Sequence, residues 1–315
     1  TTMTLTGDSV YNGVTRIHTL AINPHTGYLY LAGTNANGGG LRVLDVKTNP
    51  LAPVAVGNTT LDGYTHETQV VSYHGPDLTY YGKEIAFNSN GPSGVLSILN
   101  VTNKSAITRI SATGYAGESY IHQGWLTDDH KYFFENDELD EQGGITGGHT
   151  RTHLWDVSNL DAPLYKGFFD NTTASIDHNL YVKNGYVYQT NYTTGLRILK
   201  IGDLTSNNSS DWLQEVAFFD TYNANDGATF NGAWNNYPFF PSGNVAISDI
   251  NGGLFVVRPD ISDIVDPNPI GPGGGYDLLS AVVPEPTATA LLVGAVVMLA
   301  RRRSRPMERQ WSEEA

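Results

Sequence analysis

The chain has 315 residues with 34 Gly, 15 Pro and 18 Tyr, and only 16% of them are charged. It carries a net charge of −14 and no cysteine, which excludes disulfides, iron–sulfur clusters, thiolate zinc sites and a cysteine nucleophile. So acidic a surface repels phosphate backbones and argues against nucleic acid as a partner.

The sequence opens on Thr1 without an initiator methionine, as a processed chain or a fragment would. From there the first strand candidate is TRIHTLAI around His18, followed by YLYLAG (Tyr28–Gly33), GLRVLDV (Gly40–Val46) and APVAVG (Ala52–Gly57). The order then repeats. YTHETQVV around His66 is followed by EIAFNS (Glu84–Ser89), GVLSILNV (Gly94–Val101) and AITRIS (Ala106–Ser111). YIHQGWLT around His122 leads to KYFFEND (Lys131–Asp137), THLWDV (Thr152–Val157) and APLYKGFF (Ala162–Phe169). IDHNLYVK around His178 leads to YVYQTN (Tyr186–Asn191), GLRILKI (Gly195–Ile201) and QEVAFF (Gln214–Phe219). A fifth unit holds GAWNNYPF around Trp234, NVAISD (Asn244–Asp249) and GLFVVRP (Gly253–Pro259).

His66, His122, His178 and Trp234 stand at steps of 56 residues, and His18 precedes His66 by 48. Four short strands per unit at this period is the pattern of a β-propeller blade, which cannot bury both faces alone and must stack on neighbours. A sandwich would not repeat in groups of four strands, and a β-helix repeats at much shorter intervals. The expected fold is therefore an all-β propeller over residues 1–262. Its five visible repeats form either a complete five-bladed ring or part of a larger one.

Composition changes after the repeats. Residues 263–281 contain DIVDPNPIGPGGG and read as a Pro/Gly-rich linker. Residues 282–305 contain VVPEP, an apolar run of 14 residues (Thr287–Ala300) and the basic cluster Arg301, Arg302 and Arg303. A bilayer span needs about 20 residues, but basic residues just after an apolar run favour the cytoplasmic side, leaving the repeats outside. A polar tail, 306–315, ends the chain.

Pro284, Glu285 and Pro286, an apolar helix and an arginine cluster resemble the PEP-CTERM sorting signal of bacteria that carry an exosortase. That resemblance implies export, transient membrane insertion through a C-terminal transmembrane helix, recognition by an exosortase-type enzyme and a destination at the cell surface or in the extracellular matrix. The helix is shorter than usual for that family, and ten residues follow the arginine cluster where the family usually stops. GLRVLDVKTNPLAP and THLWDVSNLDAP resemble LVIVD-type propeller repeats. THETQVVSYHGPD, HQGWLTDDHKYFFENDELDE, DHNLYVKNGYVYQTNYTTGLRI and AWNNYPFFPSGNVAISDINGGLFVVRP resemble choice-of-anchor B surface proteins. Members of that family usually carry further repeats on the N-terminal side.

Inner strands of successive blades face one channel, so His18, His66, His122 and His178 are expected to form an arc around one of its ends. Imidazoles with neighbouring carboxylates suit zinc, copper or nickel. The competing use of such a ring, with Gln123 and Asn179 beside it, is hydrogen bonding between blades. Asp137, Glu138, Asp140 and Glu141 place four carboxylates in five positions, a candidate Ca²⁺ loop that lacks EF-hand spacing. A solvated acidic loop would look the same. No G-x-S-x-G elbow, H-E-x-x-H or P-loop occurs. Tyr73, Tyr80, Tyr81, Trp125, Trp234, Tyr237, Phe239 and Phe240 suit either sugar stacking or packing between blades. The sequence thus points to a non-enzymatic surface module whose ligand it does not name, a surface protein or polysaccharide being compatible with it, with a metal-dependent enzyme at the histidine arc as the alternative.

Overall fold

The computed structural model describes residues 11–261 as five antiparallel sheets. Blade 1 holds β1 (Thr19–Asn23), β2 (Tyr28–Ala32), β3 (Arg42–Asp45) and β4 (Val54–Asn58). Blade 2 holds β5 (Glu67–Ser72), β6 (Glu84–Ser89), β7 (Leu96–Asn100) and β8 (Thr108–Thr113). Blade 3 holds β9 (Ile121–Leu126), β10 (Tyr132–Asp137), β11 (Arg151–Asp156) and β12 (Leu164–Asp170). Blade 4 holds β13 (Asn179–Lys183), β14 (Tyr186–Thr190), β15 (Leu196–Ile201) and β16 (Leu213–Phe219). Blade 5 has three described strands, β17 (Ala233–Tyr237), β18 (Val245–Asp249) and β19 (Gly253–Val257). The chain is a β-propeller of five blades, four of them four-stranded. The sorting tail expected from Pro284 to Arg303 lies outside the described residues. Among the described residues no helix is long and apolar enough to cross a membrane.

Within each blade the strands follow chain order and each pairs antiparallel with the next, through connections that range from the two-residue turn between β13 and β14 to the long loop of residues 138–150 between β10 and β11. Asn184 and Gly185 join β13 to β14 with φ of 52° and 76°, the left-handed pair that a two-residue hairpin turn requires. After the third strand of each full blade an Asx turn recurs. Asn49, Asn103, Asn159 and Asp203 each accept, through Oδ1, the backbone N–H two residues on, at 2.9–3.1 Å. A β-bulge also recurs between third and fourth strands, at Val43/Leu44, Ile98/Leu99, Leu154/Trp155 and Ile198/Leu199. Bulges increase local twist, which a radial blade needs.

The blades pack in series through their inner strands, β1 on β5, β5 on β9, β9 on β13 and β13 on β17. Each interface owns one apolar cluster. Tyr30 and Val43 meet Ala86 and Leu99 between blades 1 and 2. Phe87 and Ile98 meet Phe133 and Trp155 between blades 2 and 3. Phe134 and Leu154 meet Leu180 and Val187 between blades 3 and 4, and Tyr188 and Ile198 meet Val245 and Ile247 between blades 4 and 5. Second strands are buried on both faces, which is why EIAFNS, YFFEND and YVYQT lack strict apolar/polar alternation. Among the described residues no comparable packing joins β17 back to β1. Leu20 and Ile22 on β1 and Leu254 and Val256 on β19 are exposed accordingly.

Polar clamps set the register between neighbours. Glu84 is buried and accepts bonds from Tyr30 Oη at 2.8 Å and Thr26 Oγ1 at 2.9 Å in blade 1, while Lys104 Nζ holds its other oxygen at 2.6 Å. Removing one partner strands the other in a low-dielectric site, so Glu84→Ala is expected to cost about 3–5 kcal/mol. A urea denaturation midpoint will read that loss. Glu135 is buried between blades 2 and 3, where it accepts from Trp155 Nε1 at 2.7 Å and Ser89 Oγ at 3.3 Å. Burial pushes its pKa up to about 8 from 4.5, with the nearby Asp137 adding to the rise. The unfolded chain ionises first, so this group stabilises the fold fully below pH 4.5 and loses that contribution as pH rises to about 8. Glu135→Gln removes the charge while its amide oxygen accepts Trp155 Nε1 and its NH₂ donates to Ser89 Oγ, and thermal melts from about pH 5 to pH 8 should show a shallower decline than the parent.

Candidate functional site

The 56-residue step brings equivalent side chains to one end of the channel. His18, His66 and His178 each stand just before an inner strand, and His122 and Trp234 are the second residues of β9 and β17. Ring centroids follow in series: His18 to His66 at 3.8 Å, His66 to His122 at 4.4 Å, His122 to His178 at 4.2 Å, and His178 to Trp234 at 4.6 Å. His66, His122 and His178 are buried, whereas His18 is exposed at the end of the row.

Glu138 enters from blade 3. A β-bulge at Asn136/Asp137 ends the pairing of β10 with β9, and Asp137 anchors the loop beyond it. The Asp137 carboxylate accepts Ser119 N at 2.7 Å, Tyr120 N at 2.5 Å and Tyr115 Oη at 2.5 Å. Glu138 N then donates to Tyr120 O at 3.1 Å, which turns the Glu138 side chain toward the imidazoles. Its Oε2 lies 3.6 Å from His122 Nε2, and its Oε1 lies 3.4 Å from His178 Nε2. Tyr192 Oη donates to the same Oε1 at 2.6 Å. Tyr192 itself has φ of 37°, a left-handed conformation that a bulky residue adopts only where its surroundings impose it. One ligating atom each from His66, His122 and Glu138 fits within 4.8 Å of the others.

The proton inventory is incomplete. His178 Nδ1 lies 2.5 Å from Trp234 O and 2.9 Å from Asn179 Nδ2; in the neutral tautomer that donates to Trp234 O, Nε2 carries the lone pair and faces a carboxylate oxygen. Protonating the ring would supply a donor, but burial, reinforced by His122, holds its pKa down to about 3. Burial and then His18 lower His122 to about 3, and burial and the other three imidazoles lower His66 further. His66 Nε2 and His122 Nδ1 are buried without hydrogen-bond partners. Neutral imidazoles with unused lone pairs around a carboxylate are the donor set of a divalent transition metal.

The acidic loop does not converge on one point. Asp137 uses both oxygens in hydrogen bonds, Glu138 joins the imidazoles, and Asp140 and Glu141 meet Asp177, the residue before His178. Sequence spacing treated these carboxylates as one set. It missed Tyr192, whose role depends on the turn after β14, and Asp177, whose only signal was its place beside a recurring histidine. Burial, and next the surrounding carboxylates, raise the pKa of Asp177 well above the usual range. The same causes raise Glu141.

Hydrogen bonding between blades is also present, and the ring and its neighbours carry part of it: His66 Nδ1 pairs with Tyr120 Oη at 2.8 Å, His178 Nδ1 with Trp234 O at 2.5 Å, and Asn179 Nδ2 donates to Trp234 O at 3.0 Å. Gln69 Oε1 accepts Leu126 N at 2.8 Å, and Gln123 exchanges two bonds of 2.9 Å with the main chain of Leu180. The aromatic candidates divide. Tyr73 is buried in the cluster between blades 2 and 3, and Trp125, Tyr181 and Phe239 pack ring on ring at 4.9–5.9 Å. Tyr81 is exposed.

Two solved structures share this architecture. A protein from Lactobacillus plantarum is 14% identical, with a TM-score of 0.58 over 80% of this chain and 72% of that one. A candidate 6-phosphogluconolactonase from Bacteroides fragilis is 13% identical, with a TM-score of 0.54 over 77% of this chain and 67% of that one. At these identities the likeness shows the propeller fold alone. No protein-family model and no curated protein matches the chain.

The anchoring role of Asp137 is directly measurable. Asp137→Ala leaves three donors unpaired, on half-buried Tyr115 and Tyr120 and on exposed Ser119, at about 1–3 kcal/mol for each that water does not reach. A loss of chemical stability by at least that much is expected in equilibrium unfolding.

Proposed function

We propose that this propeller is a metal-binding module whose His66, His122, His178 and Glu138 hold one divalent transition metal at the end of the channel. The observation that carries the reading is His178 Nε2 set 3.4 Å and His122 Nε2 set 3.6 Å from the two oxygens of Glu138, with no lysine or arginine among the described residues paired to that carboxylate. Two ligands at tetrahedral angles on zinc, at Zn–N and Zn–O distances of about 2.0–2.1 Å, stand about 3.3 Å apart. The gaps of 3.4 Å and 3.6 Å are close to that span. Three imidazoles with one carboxylate suit zinc, iron, copper or nickel. Tyr192 would act as the outer partner that orients the carboxylate.

The propeller fold suits an interaction module, since a rigid scaffold presents its loops at the channel mouth. The tail residues Pro284, Glu285, Pro286 and Arg301–Arg303, and the resemblance of the repeats to LVIVD-type, choice-of-anchor B proteins, support an exported module at the cell surface or in the matrix, sorted by an exosortase-type enzyme and meeting a surface protein or polysaccharide. Exposed His18 stacked on His66 gives solvent an approach to one end of the site, which favours a metal-dependent hydrolase as the second reading.

Elemental analysis of the full chain, purified without chelator and dialysed against zinc or cobalt, should find one equivalent of metal. His122→Ala/His178→Ala should lose it. Tyr192→Phe should keep the fold and bind cobalt about 10–100-fold more weakly. A folded parent protein that takes up neither metal refutes the proposal.

A further inference from the structure

A second group of donors lies behind the imidazoles and differs from them in chemistry. Asp140 and Glu141 come from the loop after β10, and Asp177 from the segment before β13. They are 2%, 7% and 0% exposed, and an oxygen from each lies within 4.8 Å of the others. Glu141 is fixed by the main chain, accepting Arg151 N at 2.8 Å through Oε1 and Asp177 N at 3.3 Å through Oε2. Asp140 Oδ2 faces His153 Nε2 at 3.4 Å.

The remaining oxygens are the decisive observation. Asp140 Oδ1 and both oxygens of Asp177 are buried with no hydrogen-bond partner. Among the described residues no lysine or arginine side chain pairs with these three carboxylates; the guanidinium of Arg151 turns instead to Asp170 Oδ1 at 3.1 Å and lies over Phe168. A fully buried carboxylate with two unpartnered oxygens, aimed at two more carboxylates, has its negative partners assembled and its positive one missing.

We propose that Asp140, Glu141 and Asp177 form a separate site for a hard divalent cation of the Ca²⁺ type. The donors are all oxygen, and three carboxylates supply up to six of the roughly six to eight oxygens that Ca²⁺ takes. Full burial disfavours Mg²⁺, which holds on to several waters. Softer metals are drawn to the imidazoles instead. The site uses none of the donors assigned to the transition metal and stands whether or not that metal binds.

The test uses the full chain stripped with EGTA. Calorimetric titration with CaCl₂ should give one Ca²⁺ per chain, and added CaCl₂ should raise the melting temperature by several degrees, reversed by EGTA. MgCl₂ at the same concentration should bind at least tenfold more weakly. Asp177→Asn should weaken Ca²⁺ binding at least tenfold while keeping stoichiometric cobalt at the imidazole site. His122→Ala/His178→Ala should keep the Ca²⁺ heat, so failure of either site is read separately. Should Asp177→Asn not fold, Glu141→Gln with the same titration takes its place. A folded parent chain showing no Ca²⁺ heat and no melting shift overturns the proposal. Undiminished Ca²⁺ affinity in Asp177→Asn or Glu141→Gln overturns it equally, because the ion then sits on the acidic surface.

Discussion

Each blade can bury its two faces only against other blades, and the rest of the molecule depends on that constraint. One apolar cluster per interface holds successive sheets at a constant relation, through pairs such as Phe87 with Phe133 and Phe134 with Leu180. Constant stacking turns a step in sequence into a step around the axis. Side chains 56 residues apart therefore arrive as neighbours, with ring centroids 4.4 Å and 4.2 Å apart. No local motif could have assembled them, because each comes from a different sheet.

Packing of this kind also determines the chemistry. Stacked imidazoles withdrawn from water lose their protons, since burial and mutual repulsion both penalise the cation. The same burial, acting on the carboxylates a few residues away, raises their affinity for protons or for cations. Two neighbouring clusters thus diverge, one a set of neutral nitrogens around Glu138 and the other a set of oxygens around Asp177. The bulge at the end of β10 divides them. It commits Asp137 to the main chain, and from that anchor Glu138 turns one way while Asp140 and Glu141 turn another.

Much of the fold was legible in the chain. YLYLAG, EIAFNS, KYFFEND, YVYQTN and NVAISD all become second strands, and the outer-strand strings fall where β4, β8, β12 and β16 lie. Repetition made this possible, because an ambiguous apolar run gains meaning when four others share its place. The convergence of His66, His122 and His178 was legible for the same reason. Glu138, Tyr192 and Asp177 were harder. Their roles depend on a bulge, a left-handed turn and a neighbouring blade, none of which leaves a periodic mark. The acidic run after Phe134 looked like one feature because adjacency in sequence hides how sharply a bulged loop redirects consecutive side chains.

The imidazoles come from blades 2, 3 and 4 in turn, and this has a mechanical consequence. A row of sheets held only by contacts between neighbours can fray from either end, one sheet at a time. An ion gripped at once by His66, His122 and His178 would staple three consecutive sheets at the hub, fastening the 113 residues from position 66 to position 178 into one loop. Peeling would then have to break the hub before it could pass the middle of the row, and the central sheets would come apart together or not at all.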